Sequence, residues 1–135
     1  MNIENKFKKL FGDRLGKKPS DIYLFSKGRV ALFNILQAMQ VKTGDEVILS
    51  GFTCVVVANA IKYVGAKPIY LDIDKKTLAP QKESFEQAIT DKTKVIIIQN
   101  SFGLTQDVEF ICDLASKHKI YTIEDCTHGY GGLYN

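Results

Sequence analysis

The chain has 135 residues and a formal net charge of +3, and 45% of its residues are hydrophobic while 24% are charged. A chain of this length fits one domain and buries roughly two thirds of its unfolded surface, so these values exclude disordered and fibrous proteins. No apolar run approaches the ~20 residues of a membrane-spanning helix, and the N-terminus lacks the apolar centre of a signal peptide. We therefore expect a cytoplasmic globular protein without a membrane span.

Lysine and arginine outnumber acidic residues over residues 1–18. Such a segment is either an arm that meets nucleic acid or a membrane surface, or a solvated helix. We favour the solvated helix, treat residues 1–24 as a basic helical arm, and expect no nucleic-acid partner. The three cysteines, Cys54, Cys112 and Cys126, match neither a disulfide framework nor a zinc site, and reduced thiols fit the cytoplasm.

From residue 26 onwards, helix-like and strand-like segments alternate, which indicates a parallel sheet covered by helices and hence an α/β fold. Apolar residues at helical spacing predict a helix over residues 28–40, with Ser26 as its cap. Asp107 is expected to cap another helix. Short apolar runs predict four strands, and a further helix is expected around residues 85–89. The predicted strands cover residues 46–49, 69–72, 95–98 and 120–123.

The segment that follows the first strand is ambiguous. Residues 55–57 are three valines with strand propensity, whereas Val57, Ala60, Ile61 and Val64 keep helical spacing. We favour a helix, because a second strand here would need a turn that the sequence does not offer.

Ligands of open α/β sheets bind beyond the carboxyl ends of the strands. The loops at residues 50–54, 99–103 and 125–128 are therefore the candidate site. The third loop lies within the stretch IEDCTHG at residues 123–129. In this stretch two carboxylates, a thiol, a hydroxyl and an imidazole follow the apolar residues of a predicted strand. Glu124 and Asp125 alternate along the strand, so they point to opposite sides and do not form an acid–base pair.

Several of these side chains have more than one interpretation. Asp125 can accept a hydrogen bond from a cationic ring nitrogen or a sugar hydroxyl, or it can coordinate a metal. His128 is either a donor beside a ligand or a loop histidine bonded to the backbone. Cys126 is expected to be a small buried filler, since no neighbouring base activates it. A zinc site, a P-loop, a Rossmann GxGxxG motif and a serine nucleophile elbow are missing, and no metal ligands are predicted.

The segment SKGRV at residues 26–30 leads directly into a predicted helix. The free N–H groups and the positive end of the helix dipole suit a phosphate there. A single glycine before a helix is, however, more often only a turn. The residues by themselves therefore indicate an α/β domain with a candidate site for an anion.

Three longer blocks occur in an order and spacing typical of one family. They are SKGRVAL at residues 26–32, GDEVILSGFTCVVVANAIKYVGAKPIYLDID at residues 44–74, and IEDCTHGYGG at residues 123–132. With TKVIIIQNSFG from residue 93, they resemble the sugar aminotransferases of the DegT/DnrJ/EryC1/StrS group, pyridoxal-phosphate (PLP) enzymes of aspartate aminotransferase fold type I. The resemblance implies a three-layer α/β/α fold with a mostly parallel sheet, with residues 25–135 as the N-terminal part of the PLP-binding large domain.

The resemblance also implies roles for individual residues. Asp125 matches the aspartate that pairs with the pyridinium nitrogen and so keeps the ring an electron sink. His128 falls where the family carries Gln or His near the phenolic oxygen of the cofactor. At the helix start Gly28 precedes Arg29 and Val30, whose positions match the backbone N–H groups that hold the phosphate.

Two positions depart from the family's pattern. Cys54 stands where many members carry an aromatic residue on the ring face, and a thiol offers that ring less contact area. Asn100 stands where relatives often have histidine. The contact that each of these side chains makes is therefore open.

The family's Schiff-base lysine lies well downstream of the aspartate, whereas this sequence ends at Asn135 and none of its lysines stands in a similar context. We therefore expect an N-terminal portion of an aminotransferase with no catalytic residue of its own, weak or no PLP binding, and no transamination by itself. The intact family transfers an amino group from an amino acid to a nucleotide-linked keto-sugar in polysaccharide or secondary-metabolite biosynthesis, and forms homodimers. Two alternatives are a non-catalytic domain that binds a phosphate ligand or a partner chain, and a PLP-dependent sugar dehydratase.

Overall fold

The structure is a computed structural model that describes residues 2–104 and 106–131. Within these residues it contains five α-helices, which are α1 (Ile3–Leu15), α2 (Gly28–Ala38), α3 (Val55–Tyr63), α4 (Lys82–Ala88) and α5 (Val108–Lys117). Its four strands are β1 (Glu46–Ser50), β2 (Lys67–Leu71), β3 (Thr93–Gln99) and β4 (Tyr121–Asp125). Short 3₁₀ helices cover Pro19–Asp21 and Ser101–Gly103. Among the described helices, none is both long and apolar enough to pass through a bilayer.

The four strands form one parallel sheet in the order β2-β1-β3-β4. Ser50 at the end of β1 pairs with Leu71 at the end of β2, and Gln99 at the end of β3 pairs with Asp125 at the end of β4. Because all strands run the same way, these four residues lie at one edge of the sheet. That edge is where an open α/β sheet binds its ligands.

Helices cover both faces of the sheet. On one face, Val47 and Ile97 pack in a buried cluster with Leu36 of α2 and Ile61 of α3. On the other face, alternate residues of the same strands, such as Ile96, pack with apolar residues of α4 and α5. Each fully buried aliphatic side chain contributes about 1.5–3 kcal/mol of transfer free energy. The three-layer α/β/α arrangement is therefore confirmed, and burial on both faces explains why β1 and β3 are almost wholly apolar.

The ambiguous segment after β1 is the helix α3, as predicted. The capping prediction for Asp107 is also confirmed, because its Oδ1 accepts a hydrogen bond from the Phe110 N–H at 3.0 Å. The prediction that Ser26 caps α2 is wrong. Lys27 occupies the N-cap position and makes no capping bond with its side chain, so Ser26 lies one residue too early.

Helix α1 begins after Asn2, whose side chain accepts from the Asn5 N–H, and ends at Gly16, which has the left-handed φ of 63°. Its Phe11 ring stacks on Tyr130 at 5.4 Å between centroids. The basic N-terminal segment is thus a largely exposed helix that touches the turn after β4.

Candidate functional site

A cavity of about 350 Å³ opens at the carboxyl edge of the sheet, and all three predicted loops contribute to it. Its lining includes Phe52, Thr53 and Cys54 after β1, Gln99, Asn100 and Phe102 at and after the end of β3, and Asp125, Thr127 and His128 at and after the end of β4. The loops meet here because β1, β3 and β4 are neighbours in a parallel sheet. A cavity of roughly 300–1,000 Å³ is the usual size for a small-molecule site.

Asp125 is the last residue of β4, and its carboxylate is held in a fixed orientation. Its Oδ1 accepts hydrogen bonds from the Thr127 N–H at 3.1 Å and from the Thr127 hydroxyl at 2.6 Å. Its Oδ2 accepts from the Gln99 amide at 3.4 Å. A carboxylate oxygen accepts more than one hydrogen bond, so Oδ2 keeps capacity for a cationic or N–H donor of a ligand.

Glu124 lies on the other side of the strand and does not line the cavity. Its Oε1 accepts a hydrogen bond from the Asn100 side chain at 2.7 Å. The two carboxylates therefore have different hydrogen-bond partners, and of the two only Asp125 lines the cavity.

Cys126 was expected to be a small buried filler, and it is only half-buried. Burial raises the pKa of its thiol, and the neighbouring Glu124 raises it further. A thiol with a raised pKa stays protonated and is a poor nucleophile. Cys126 therefore lacks the activation that a catalytic cysteine needs, as the sequence indicated.

Two polar atoms in the cavity wall are buried and have no hydrogen-bond partner within the described part of the chain. They are Oγ1 of Thr53 and Oε1 of Gln99, and the Gln99 residue is only 7% exposed. Leaving a buried polar atom unbonded costs about 1–3 kcal/mol, so such atoms call for an explanation. A ligand in the cavity would provide their partners.

An aromatic rim, formed by Phe52, Phe102 and His128, borders the cavity. The Phe52 and Phe102 ring centroids are 5.9 Å apart, and those of Phe102 and His128 are 5.7 Å apart with nearly parallel planes. The sequence indicated these loops but singled out neither phenylalanine, nor Thr53, Gln99 or Thr127. Of the three rim residues, the sequence pointed only to His128. The two phenylalanines could not be recognised, because the proximity of the rings depends on how the loops fold.

The predicted phosphate-binding residues Gly28, Arg29 and Val30 lie at the exposed start of α2. Gly28 lines a separate groove beside Phe7 and Phe11 of α1, and this groove shares no lining residue with the cavity. The Val30 N–H donates to the Lys27 carbonyl at 3.0 Å, so it is already bonded. The resemblance implies two backbone donors to the phosphate, the N–H groups of Arg29 and Val30. Because the Val30 N–H is already bonded, the Arg29 N–H is the better placed of the two to donate a hydrogen bond to a ligand.

A sequence model of the DegT/DnrJ/EryC1/StrS aminotransferase family matches residues 2–135. The chain belongs to this family. GDP-perosamine synthase of Escherichia coli O157:H7 is 41% identical over 109 residues, which are 81% of this chain and 30% of that enzyme. UDP-2-acetamido-2-deoxy-3-oxo-D-glucuronate aminotransferase of Pseudomonas aeruginosa is 40% identical over 124 residues, or 90% of this chain and 34% of the relative.

Two solved structures superpose well on this chain. NtdA of Bacillus subtilis, crystallised with the cofactor PMP, superposes with a TM-score of 0.87 at 31% identity, covering 97% of this chain and 30% of NtdA. The aminotransferase of Psychrobacter cryohalolentis gives a TM-score of 0.75 at 37% identity over 79% of this chain. The chain thus spans about a third of the length of the relatives that it matches.

Proposed function

We propose that this chain forms part of the cofactor site of a PLP-dependent sugar aminotransferase, and that Asp125 pairs with the pyridinium nitrogen of the cofactor. The observation that carries the proposal is the Asp125 carboxylate, which Thr127 and Gln99 orient in a cavity at the carboxyl edge of the sheet. Membership of the family and the PMP-bound NtdA structure support it. When bound, the cofactor would supply an electron sink for the carbanion formed in transamination.

The residues that line the cavity fit the ring of such a group. A flat aromatic ring suits walls formed by Phe52, Cys54 and the neighbouring valines, and a cationic ring nitrogen suits a carboxylate that keeps acceptor capacity. The unpartnered Thr53 hydroxyl can donate to a ring substituent, whereas the unpartnered Gln99 oxygen can only accept. The cavity therefore offers both kinds of polar contact beside an apolar wall.

The remaining roles are those that the resemblance to the family implies. His128 would donate to the phenolic oxygen of the cofactor, and Cys54 would lie against the ring face. Arg29, with Gly28 and Val30 beside it, would contribute backbone N–H groups at the start of α2 to the phosphate. The bond from Val30 to Lys27 makes Arg29 the main donor in this assignment.

The proposed substrates are an amino acid as donor and a nucleotide-linked keto-sugar as acceptor, in polysaccharide or secondary-metabolite biosynthesis. The names of the relatives, which include a GDP-perosamine synthase and a UDP-sugar aminotransferase, support this class. We further propose a homodimer, supported by apolar side chains such as Leu10 and Ile35 that stay exposed on α1 and α2. Three free cysteines support a cytoplasmic location. Residues 25–135 would belong to the cofactor domain and residues 1–24 to the helical arm.

No lysine lines the cavity within the described residues. We therefore propose that this chain by itself does not transaminate, because it places no amine at the aldehyde of the cofactor. The same observation favours a second candidate function, a non-catalytic domain that binds a phosphate ligand. After incubation with PLP and reduction with borohydride, mass spectrometry should show no single lysine modified stoichiometrically. One fully modified lysine would contradict this part of the proposal.

The test of the cofactor assignment compares two neighbouring carboxylates. Pyridoxamine 5′-phosphate is the probe, because it cannot react with surface lysines, and binding is followed by NMR titration. We expect weak binding, a loss of about tenfold or more in affinity for Asp125→Asn, and a change below about twofold for the matched control Glu124→Gln. Equal effects of the two substitutions would contradict the assignment of Asp125.

A further inference from the structure

Phe102 has an unusual backbone conformation. Its φ of 56° and ψ of 22° lie in the left-handed region, and Gly103 follows with a φ of 78°. This region costs a residue with a side chain about 1–2 kcal/mol relative to ordinary conformations. Burial of the ring does not offset that cost, since Phe102 is 68% exposed. A strained residue that persists beside a cavity suggests a functional constraint.

The conformation directs Phe102 towards His128 in two ways. The Phe102 N–H donates a long hydrogen bond of 3.4 Å to Nδ1 of His128. The phenyl ring stacks on the imidazole at 5.7 Å with an interplanar angle of 23°. Both contacts connect the loop after β3 to the loop after β4, so the imidazole is restrained at its edge and on its face.

The hydrogen bond has a chemical consequence for the imidazole. A backbone N–H only donates, so the nitrogen that accepts from it must carry a lone pair. A neutral imidazole has one such nitrogen and one N–H, and the bond made by one nitrogen therefore sets the state of the other. With Nδ1 accepting, the proton of neutral His128 is on Nε2.

We propose that Phe102 is a positioning residue whose left-handed main chain fixes His128 in the Nε2–H tautomer, so that the imidazole offers a hydrogen-bond donor to an oxygen atom of the ligand. The ring of Phe102 restrains the plane of the imidazole. The identity of the ligand rests on the proposed function, whereas the tautomer is a property of the chain without any ligand.

The tautomer can be measured directly by long-range ¹H–¹⁵N NMR of the imidazoles in the ligand-free chain, at a pH of about 9, above the ordinary imidazole pKa of ~6.5. The chain has two histidines, so His118 serves as an internal reference. His118 is exposed at the end of α5, and no hydrogen bond to its ring is seen within the described residues. We expect one tautomer, Nε2–H, for His128 and signals averaged over two tautomers for His118.

Two substitutions separate the main-chain effect from the loss of the ring. Phe102→Gly keeps the N–H and favours the left-handed region, whereas Phe102→Val disfavours that region because its side chain is β-branched. We expect His128 to stay Nε2–H in Phe102→Gly and to give averaged signals, like those of His118, in Phe102→Val. An unchanged backbone spectrum away from both loops verifies that each variant is folded.

Affinity supplies an independent readout. Phe102→Val should weaken the binding of pyridoxamine 5′-phosphate by about threefold to tenfold, the equivalent of one neutral hydrogen bond, and Phe102→Gly should weaken it less. Averaged or Nδ1–H signals for His128 in the wild-type chain would overturn the inference, as would an Nε2–H tautomer that survives in Phe102→Val. A correct tautomer together with equal losses of affinity in Asp125→Asn and Glu124→Gln would instead refute the proposed function and leave this inference standing.

Discussion

Glu46 and Asp125 lie at opposite edges of the same sheet, Glu46 where β1 begins and Asp125 where β4 ends. Glu46 is only 8% exposed, and both of its oxygens are bonded. Its Oε2 accepts from the Thr90 hydroxyl at 2.6 Å, and its Oε1 accepts from the Lys67 ammonium at 3.5 Å. The bond from Thr90 is the main cause that lowers the pKa of Glu46, followed by Lys67 against the opposing effect of burial.

The carboxyl edge is different. Asp125 is oriented by Thr127 and Gln99, but the Gln99 oxygen and the nearby Thr53 hydroxyl stay buried without a partner in the described structure. The amino edge thus uses its polar groups for the stability of the fold, whereas the carboxyl edge leaves hydrogen-bonding capacity for a ligand. Unpartnered polar groups of this kind lower the stability of the chain, so their replacement by apolar groups is expected to raise it.

Replacement of a threonine by valine should change the free energy of unfolding in opposite directions at the two edges. The larger effect is expected at the amino edge, where Thr90→Val removes the donor to a buried carboxylate. Hydrogen bonds to charged groups contribute about 1.5–3 kcal/mol, so we expect the free energy of unfolding to fall by about 2 kcal/mol in urea denaturation. Thr77→Val, in an exposed turn, is the matched control and should change it by less than about 0.5 kcal/mol. Equal losses for the two variants would break the comparison.

At the carboxyl edge, Thr53→Val should stabilise the chain. The valine is nearly isosteric and removes a buried hydroxyl that has no partner, so we expect the free energy of unfolding to rise by about 1 kcal/mol. The same variant should bind pyridoxamine 5′-phosphate less tightly, because it loses one polar contact. A destabilised Thr53→Val chain would mean that the hydroxyl already has a partner, and the distinction between the edges would fail.

The smallest expected effect is on the loss of stability at acidic pH. The folded pKa of Glu46 lies below its ordinary value of 4.5, so its contribution to stability is fully present above pH 4.5 and is lost as the pH falls through the folded value. Asp74 and Asp107 also have lowered pKa values, because backbone N–H groups bond Asp74 and Lys82 bonds Asp107. Glu46→Gln should therefore reduce, but not abolish, the loss of stability as the pH falls below about 4.5. Urea midpoints across this range measure the slope, and an unchanged slope would argue against a structural role for Glu46.

Much of the fold could be predicted because its signals are local. The spacing of Val57, Ala60 and Ile61 predicted α3 despite three consecutive valines, and the buried run in β3 predicted a central parallel strand. Asp107 was recognised as a cap from its position alone. Ser26 was assigned wrongly, because a shift of one residue at a helix start moves a side chain out of reach of the first N–H groups.

The site could be predicted only in part. The sequence indicated that the three loops meet, since the carboxyl ends of parallel strands share one edge, and it distinguished Asp125 from Glu124 by their alternation. It gave no sign that Gln99 bonds Asp125 or that the Val30 N–H is already used by Lys27. Those contacts depend on side-chain and turn geometry that has no fixed pattern in sequence.

By itself, the sequence determined the order of helices and strands, their buried faces and the carboxylate at the end of β4, because apolar periodicity and alternation act between near neighbours in the chain. Only the tertiary structure decided which polar atoms of the cavity stay without partners and how Phe102 meets His128. These features arise from the packing of loops that are 26 residues apart in sequence and become neighbours because β4 pairs with β3. The left-handed turn at Phe102 is stable only in that context, so no local sequence pattern could have predicted it.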